Sequence, residues 1–308
     1  MNKIFISTTS FAQYSNETID LLDSQNISYK INDKGRKISD AEVPIMLADC
    51  EGVIAGTETY SKENLKKLPH LNVVSRVGVG LDNIDLDFAN KRNIKIYKTQ
   101  TNPAPAVAEL TLGLILDILR KISNQNHILK NGIWEKQMGS LLYGKTLGII
   151  GLGTIGKKLV GILQGFKLQY LAYDIKQDIE FAEKYNIKYC QLSDLLFESD
   201  VVTIHLNLSK ETNNLMDYDA LKKMKSDAIL INTSRGEIID ETALVQALDK
   251  ELIAGAGLDV FEQEPYSGPL AKLDNVILTP HVGAYAKEIR MQMEIEAAEN
   301  LIKGLNNI

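Results

Sequence analysis

Residues 146–156 read Thr146-Leu147-Gly148-Ile149-Ile150-Gly151-Leu152-Gly153-Thr154-Ile155-Gly156. An aliphatic run, Thr146–Ile150, meets three glycines in the pattern GxGxxG. The run has the composition of a buried strand, and a helical pattern opens at about Ile155. Each glycine then has a purpose. Gly151 permits a tight turn, Gly153 lets the backbone approach a pyrophosphate, and Gly156 lets the helix pack on the strand. The pyrophosphate would rest on the N–H groups that open the helix. Asp174 ends the next apolar run, 18 residues after Gly156. An acid there accepts hydrogen bonds from a ribose 2′-OH and repels a 2′-phosphate. No Arg follows it closely, so the expected dinucleotide is NAD rather than NADP. The glycine pattern alone is weak; its flanks raise it above a glycine turn without a ligand.

On both sides of this stretch, short apolar runs alternate with helical patterns. Strands are expected at 3–6, 27–31, 52–55, 73–77 and 94–97, then at 146–150, 169–173, 201–205, 228–231, 253–258 and 276–278. Helices are expected at 17–23 and 83–90, and Ser39 with Glu42 reads as a capping box ahead of another. Such alternation implies βαβ units and parallel sheets. Residues 99–105, with two prolines, read as a hinge. Residues 106–122 are apolar on most sides and read as an interface helix between domains or subunits; a core helix is the plainer alternative. Residues 285–305 read as a terminal helix.

The chain has 308 residues, which suggests two domains at the usual ~150 residues each. It carries 34 Lys and Arg against 40 Asp and Glu, a net charge of −6. An acidic chain does not attract phosphate backbones, so nucleic acid is not an expected partner. Hydrophobic residues make up 44%, enough for two cores. No apolar run reaches the ~18 residues of a membrane span, and residues 1–10 lack the apolar core of a secretory signal. Cys50 and Cys190 lie far apart, so no disulfide or metal site is expected and a reducing cytoplasm fits. Only four histidines are available to move protons: His70, His127, His205 and His281.

Four further motifs bear chemistry. Asn232-Thr233-Ser234-Arg235-Gly236 follows an expected strand, where open α/β sheets bind ligands. Its Arg offers a planar fork to a carboxylate or keto oxygen, although taken alone it reads as a surface residue. Asp259-Val260-Phe261-Glu262-Gln263-Glu264-Pro265 reads alone as a solvated acidic loop. Thr279-Pro280-His281-Val282-Gly283-Ala284 also follows a strand. Arg235, Glu264 and His281 together would supply a substrate-binding cation and a carboxylate–imidazole pair suited to general acid catalysis; their spacing does not show that they meet. Finally, Ser75-Arg76-Val77-Gly78-Val79-Gly80-Leu81-Asp82-Asn83 places glycines after a strand, either a nest of N–H groups for an anion or a plain strand-to-helix turn.

These motifs, in this order, resemble the D-isomer-specific 2-hydroxyacid dehydrogenase family from about Ile4 to Asn300, most closely its phosphoglycerate dehydrogenase-type members. The resemblance implies two doubly wound parallel-sheet α/β domains, a Rossmann NAD-binding domain (99–283) inserted into a flavodoxin-like substrate domain (1–98 plus 284–308), with a cleft between them. It implies that His281 is the general acid for 2-keto acid reduction and the base in reverse, that Glu264 holds and polarises it, and that Arg235 binds the substrate carboxylate and carbonyl. Arg76 and the backbone of Val77, Gly78, Val79 and Gly80 are expected at the substrate. Gly151, Gly153, Thr154, Ile155, Gly156 and Asp174 are expected at the dinucleotide, with Thr233, Asp259, His281, Gly283 and Ala284 around its nicotinamide half. His205 is expected near the cofactor without a catalytic part. A homodimer through the NAD domain is also implied, involving the helix at 106–122 and Trp134.

The chain departs from the family in one loop. Many phosphoglycerate dehydrogenases carry an Arg after the strand at 52–55; here the residues are Gly56-Thr57-Glu58-Thr59. Arg76, with Lys136 from a neighbouring subunit, would remain for a phosphate. The first expectation is 3-phosphoglycerate dehydrogenase, the reaction that feeds serine biosynthesis. The alternative is a reductase of hydroxypyruvate, glyoxylate or another short 2-keto acid. A different class, a non-enzymatic NAD-sensing protein, shares the same residues and would bind NADH without turnover. After His281 27 residues remain, so a closing helix is expected and an appended regulatory domain is not.

Overall fold

The computed structural model describes residues 3–307; Met1, Asn2 and Ile308, assigned above to the substrate domain, lie outside the described residues. The chain divides into two units. One runs to Pro103 and resumes at Ala284; the other is Ala104–Gly283.

The first unit holds a parallel sheet of β1 (Lys3–Ile6), β2 (Ser28–Ile31), β3 (Gly52–Ala55), β4 (Val73–Arg76) and β5 (Lys95–Lys98), in the order β2-β1-β3-β4-β5. Central β3 is buried throughout, whereas edge strand β2 is largely exposed. The terminal helix Lys287–Leu305 lies on this sheet. A Cβ on Gly52 would come 2.8 Å from Leu301, and one on Gly304 would come 2.6 Å from Val73, so both glycines permit close packing of helix on sheet. Ser75 donates to the Ala297 carbonyl (2.7 Å). Near the start of this helix, Arg290 and Glu294 are both buried and joined at 2.8 Å, and Glu294 also accepts from the Ser10 hydroxyl and the Ala12 N–H.

The second unit holds β6 (Thr146–Ile150), β7 (Gln169–Tyr173), β8 (Ile187–Tyr189), β9 (Val201–Ile204), β10 (Ile229–Asn232), β11 (Gly255–Leu258) and β12 (Val276–Leu278). All are parallel, in the order β12-β11-β10-β9-β6-β7-β8. Strand order reverses between β6 and β9, which opens a crevice at their carboxyl ends. Both sheets are therefore doubly wound, as the resemblance implied.

Several local expectations change. The short strand β8 was not anticipated, and the helix of the second segment begins at Thr154. The expected helix at 83–90 is shorter, Leu86–Lys91, because Asp85 caps it by accepting from the Phe88 N–H. The capping box forms only in part. Glu42 accepts from the Ser39 N–H (2.8 Å), but the Ser39 hydroxyl donates to Glu42, and only Val43–Met46 is helical. The apolar helix is Ala104–Arg120 and stops at Lys121, which is left-handed (φ 54°); a second helix, Ile122–Lys130, follows. Ala108, Leu114, Ile115 and Leu119 are buried in the second unit's own core, so this face of the helix is core and not interface. The unit boundary falls after Pro103, not at 98, because the 99–101 segment is tied to the first unit. Thr99 N–H donates to Gly78 O, and Gln100 and Thr101 N–H groups donate to Glu296. Among the described residues no helix is long and apolar enough to cross a membrane.

Candidate active site

The three glycines of the turn after β6 differ in their surroundings. Gly151 has φ 95°, and a Cβ there would come 2.6 Å from the His205 carbonyl oxygen. Gly156 would place a Cβ 2.7 Å from Gly151 O, so it permits the helix–turn contact. A Cβ at Gly153 would meet nothing within 4 Å beyond its own chain neighbours. Gly153 precedes the helix Thr154–Ile162 with no side-chain cap, so the opening N–H groups have no capping partner. An open backbone face and uncapped N–H groups fit a pyrophosphate. Gly153→Ala should weaken NADH binding tenfold or more in calorimetric titration and leave urea stability unchanged. Gly156→Ala should cost about 1–3 kcal/mol of stability by overpacking.

Asp174 follows β7. Its Oδ2 accepts from Leu152 N–H and its Oδ1 from Lys176 N–H, both at 2.8 Å. These bonds tie the carboxylate to the glycine turn and leave lone pairs on each oxygen for a ribose hydroxyl.

His205 follows β9. Its Nε2 meets Thr203 Oγ1 at 3.0 Å, and its Nδ1 is shut from solvent without a partner. Burial pushes this imidazole down to about 3, so it stays neutral in the folded protein at neutral pH. The unfolded chain binds that proton near pH 6.5, so folding opposes protonation throughout the window from 6.5 down to about 3. Stability is full above the unfolded value and is lost as pH falls. Between pH 7 and 5 the wild type should lose about 2 kcal/mol more than His205→Gln in urea unfolding.

At the end of β10, Asn232 Oδ1 accepts from Ser234 N–H and Asn232 Nδ2 donates to Arg235 O, which shapes the loop that carries Arg235. Ser234 anchors it to Ile204 O (2.7 Å). The Arg235 side chain is half-buried and donates from Nη1 to Ser234 O. A Cβ on Gly236 would fall 1.9 Å from the Phe261 carbonyl carbon, so the Arg235 loop and the Glu264 loop touch backbone to backbone. The acidic loop is less solvated than its composition suggested. Glu262 and Glu241 each accept the other's backbone N–H (3.1 and 2.7 Å, respectively), which clasps the loop to the helix Glu241–Asp249. Burial pushes the Glu241 carboxyl up.

Register then brings Glu264 and His281 together. β11 pairs with β12 from Ala256↔Val276 to Leu258↔Leu278, so the loops that leave them are neighbours. His281 Nδ1 lies 2.9 and 3.0 Å from the two Glu264 oxygens, and both side chains are partly exposed. His281 holds a left-handed backbone (φ 54°). Asp259 imposes that shape. Its carboxylate, 1% exposed, accepts from Thr279 Oγ1 (2.6 Å) and from Val282 and Gly283 N–H (2.8 Å each), while its carbonyl accepts from His281 N–H. Burial pushes the Asp259 carboxyl above the ordinary range. Asp259 and Gly283, expected around the nicotinamide half, are bonded to each other, and Asp259 also holds the His281 loop; Ala284 falls in the first unit.

In the first unit, the proposed anion nest is smaller than expected. Val77 N–H donates to Ala55 O and Gly78 N–H to Arg76 O. Among the described residues no backbone carbonyl takes the N–H of Val79 or Gly80, which are the donors left for an anion. Arg76 folds over its own loop, donating to Val77 O, and a Cβ on Gly78 (φ 150°) would overlap its guanidinium. In the loop after β3, Glu58 is 2% exposed and accepts from the Ser7 and Tyr60 hydroxyls and from Gly56 N–H. The sequence reading noted the missing Arg there but not the buried carboxyl that takes its place.

The family model described as D-isomer specific 2-hydroxyacid dehydrogenase, NAD binding domain, matches residues 112–283. A glyoxylate reductase of Thermofilum pendens is 43% identical over 259 residues, covering 81% of this chain and 76% of that protein. Glyoxylate/hydroxypyruvate reductase B of Escherichia coli is 39% identical over 268 residues, covering 84% and 83%. Among solved structures, a phosphoglycerate oxidoreductase from Vibrio cholerae aligns with a TM-score of 0.91 at 26% identity, over 100% of both chains.

Proposed function

The chain belongs to the D-isomer specific 2-hydroxyacid dehydrogenases and is an NAD-dependent oxidoreductase; we propose that its substrate is a short unphosphorylated 2-keto acid, glyoxylate or hydroxypyruvate. The observation that carries this reading is Glu58. Where a phosphate-binding cation is expected in the phosphoglycerate dehydrogenase-type members, this loop holds a buried carboxyl satisfied by three internal donors. A phosphate needs cations or several N–H donors, and a fixed carboxylate nearby opposes it. The reductase names of relatives near 40% identity support the same substrates over 3-phosphoglycerate, the first expectation. Those names also speak against a purely NAD-sensing protein.

In this reading bound NADH supplies the hydride to the carbonyl carbon. His281, held through Nδ1 by Glu264, delivers the proton from Nε2 to the carbonyl oxygen. Glu264 fixes the ring and stabilises the charged imidazolium. Arg235 binds the carboxylate and carbonyl oxygen. Gly151, Gly153, Gly156, Thr154, Ile155 and Asp174 hold the dinucleotide, and His205 and Thr233 border it. We also propose a homodimer formed by the second unit. Residues 122–143 expose Ile122, Leu129, Ile133, Trp134 (83%), Met138 (89%) and Leu141, a run of apolar surface that calls for a partner. Two unpaired cysteines suit a cytoplasmic setting.

The test is NADH oxidation with glyoxylate, hydroxypyruvate and 3-phosphohydroxypyruvate. Glyoxylate or hydroxypyruvate should exceed the phosphorylated acid at least tenfold in kcat/KM, and Glu58→Gln should narrow that ratio. Preference for 3-phosphohydroxypyruvate would overturn the substrate assignment.

A further inference from the structure

We propose that Thr111 is a positioning residue that turns the Thr233 hydroxyl into an obligate acceptor for an N–H of the nicotinamide carboxamide. Thr111 would thereby make the protein select an amide-bearing cofactor head group over a ketone-bearing one. The proposal rests on the reading of the β10–β12 strand ends as the nicotinamide side.

The argument is one of proton accounting. A hydroxyl has one proton and two lone pairs, and a backbone carbonyl only accepts. Thr111 Oγ1 lies 2.8 Å from Val107 O, so the Thr111 proton lies between them; two facing lone pairs at that distance would repel. Thr111 Oγ1 also lies 3.1 Å from Thr233 Oγ1. With its own proton spent, Thr111 accepts there, and the Thr233 proton points back at Thr111. Thr111 is fully buried and Thr233 is 7% exposed, so water does not compete for these sites. Thr233 is left with lone pairs and no proton to give a ligand.

Its neighbour has the same character. Asp259 N–H donates to Asn232 O, and Asn232 pairs with Leu258, so Thr233 and Asp259 leave adjacent strands side by side. Asp259 Oδ1 takes two donors and Oδ2 takes one. Two adjacent strand ends thus present acceptors, and a primary amide, with two N–H groups, is the matching donor.

The test compares binding of NADH and its reduced 3-acetylpyridine analogue, in which a methyl ketone replaces the amide, by isothermal titration. The wild type should bind NADH roughly tenfold more tightly than the analogue, the worth of one buried hydrogen bond. Thr111→Val keeps the shape but frees the Thr233 proton, which can then serve the ketone. The ratio should fall at least threefold, because only the Thr233 half of the match changes, while Thr111→Ser restores it. Thr111→Ala, which cannot overpack the site, carries the same expectation as Thr111→Val and stands in if that variant does not fold. If wild type binds both and the ratio survives in Thr111→Val or Thr111→Ala, the proposal alone falls. If wild type binds neither, the cofactor reading falls and takes the proposal with it.

Discussion

His281→Asn should lower kcat for keto-acid reduction by about 10²–10⁴-fold, the usual contribution of a positioned general acid. Asparagine is the informative replacement because His281 sits at φ 54°, a region that Asn tolerates better than most residues. The Asp259 grip on Thr279, Val282 and Gly283 then survives, so the loop keeps its shape while the proton donor is lost. NADH affinity should therefore stay within a few-fold of wild type. Glu264→Gln should fall between wild type and His281→Asn, because the ring keeps a neighbour but loses the negative charge that stabilises the imidazolium. Steady-state kinetics with calorimetric NADH titration separates these effects. A His281→Asn enzyme that keeps more than a tenth of wild-type kcat would sink the assignment of His281 as proton donor.

Glu294→Ala should destabilise the protein by about 3–5 kcal/mol, the cost of breaking a buried ion pair from one side. Arg290 and Glu294 are 6% and 4% exposed. Arg290 Nε donates both to Glu294 Oε1 (2.8 Å) and to Ser10 Oγ (2.7 Å), while its Nη2 has no partner at all. Removing the carboxylate strands a buried cation and releases the Ser10 hydroxyl and Ala12 N–H together. The stacking of the guanidinium on Tyr285, 4.7 Å from the ring centroid, does not replace that charge. Replacing both partners, Arg290→Met with Glu294→Leu, should recover most of the loss, because the desolvation cost of the pair disappears with it. Urea unfolding reads both results. A loss under 1 kcal/mol in Glu294→Ala would mean that the pair is solvated in solution.

What the sequence determined by itself was local. The aliphatic runs of β6, β7 and β12, the turn at Gly151 and the close packing at Gly156 follow from residue chemistry over a few positions. Strand β8 escaped notice because three residues with one fully buried leave almost no pattern. The break at Lys121 escaped because Asp117, which takes the N–H and hydroxyl of Ser123, acts through the turn and not through helix propensity. The nest at 76–80 shrank because Val77 and Gly78 spend their N–H groups on carbonyls, a choice invisible in a glycine count. Thr111 carried only a faint signal, a hydroxyl in an otherwise apolar helix. Tertiary structure alone decided the chemistry of the site. Glu264 and His281 meet because β11 and β12 are paired in register, and Asp259 became a scaffold for the His281 loop because burial made its carboxylate seek internal donors. Pairing between distant segments and the desolvation of polar groups depend on what the rest of the chain places around them, and no local pattern contains that.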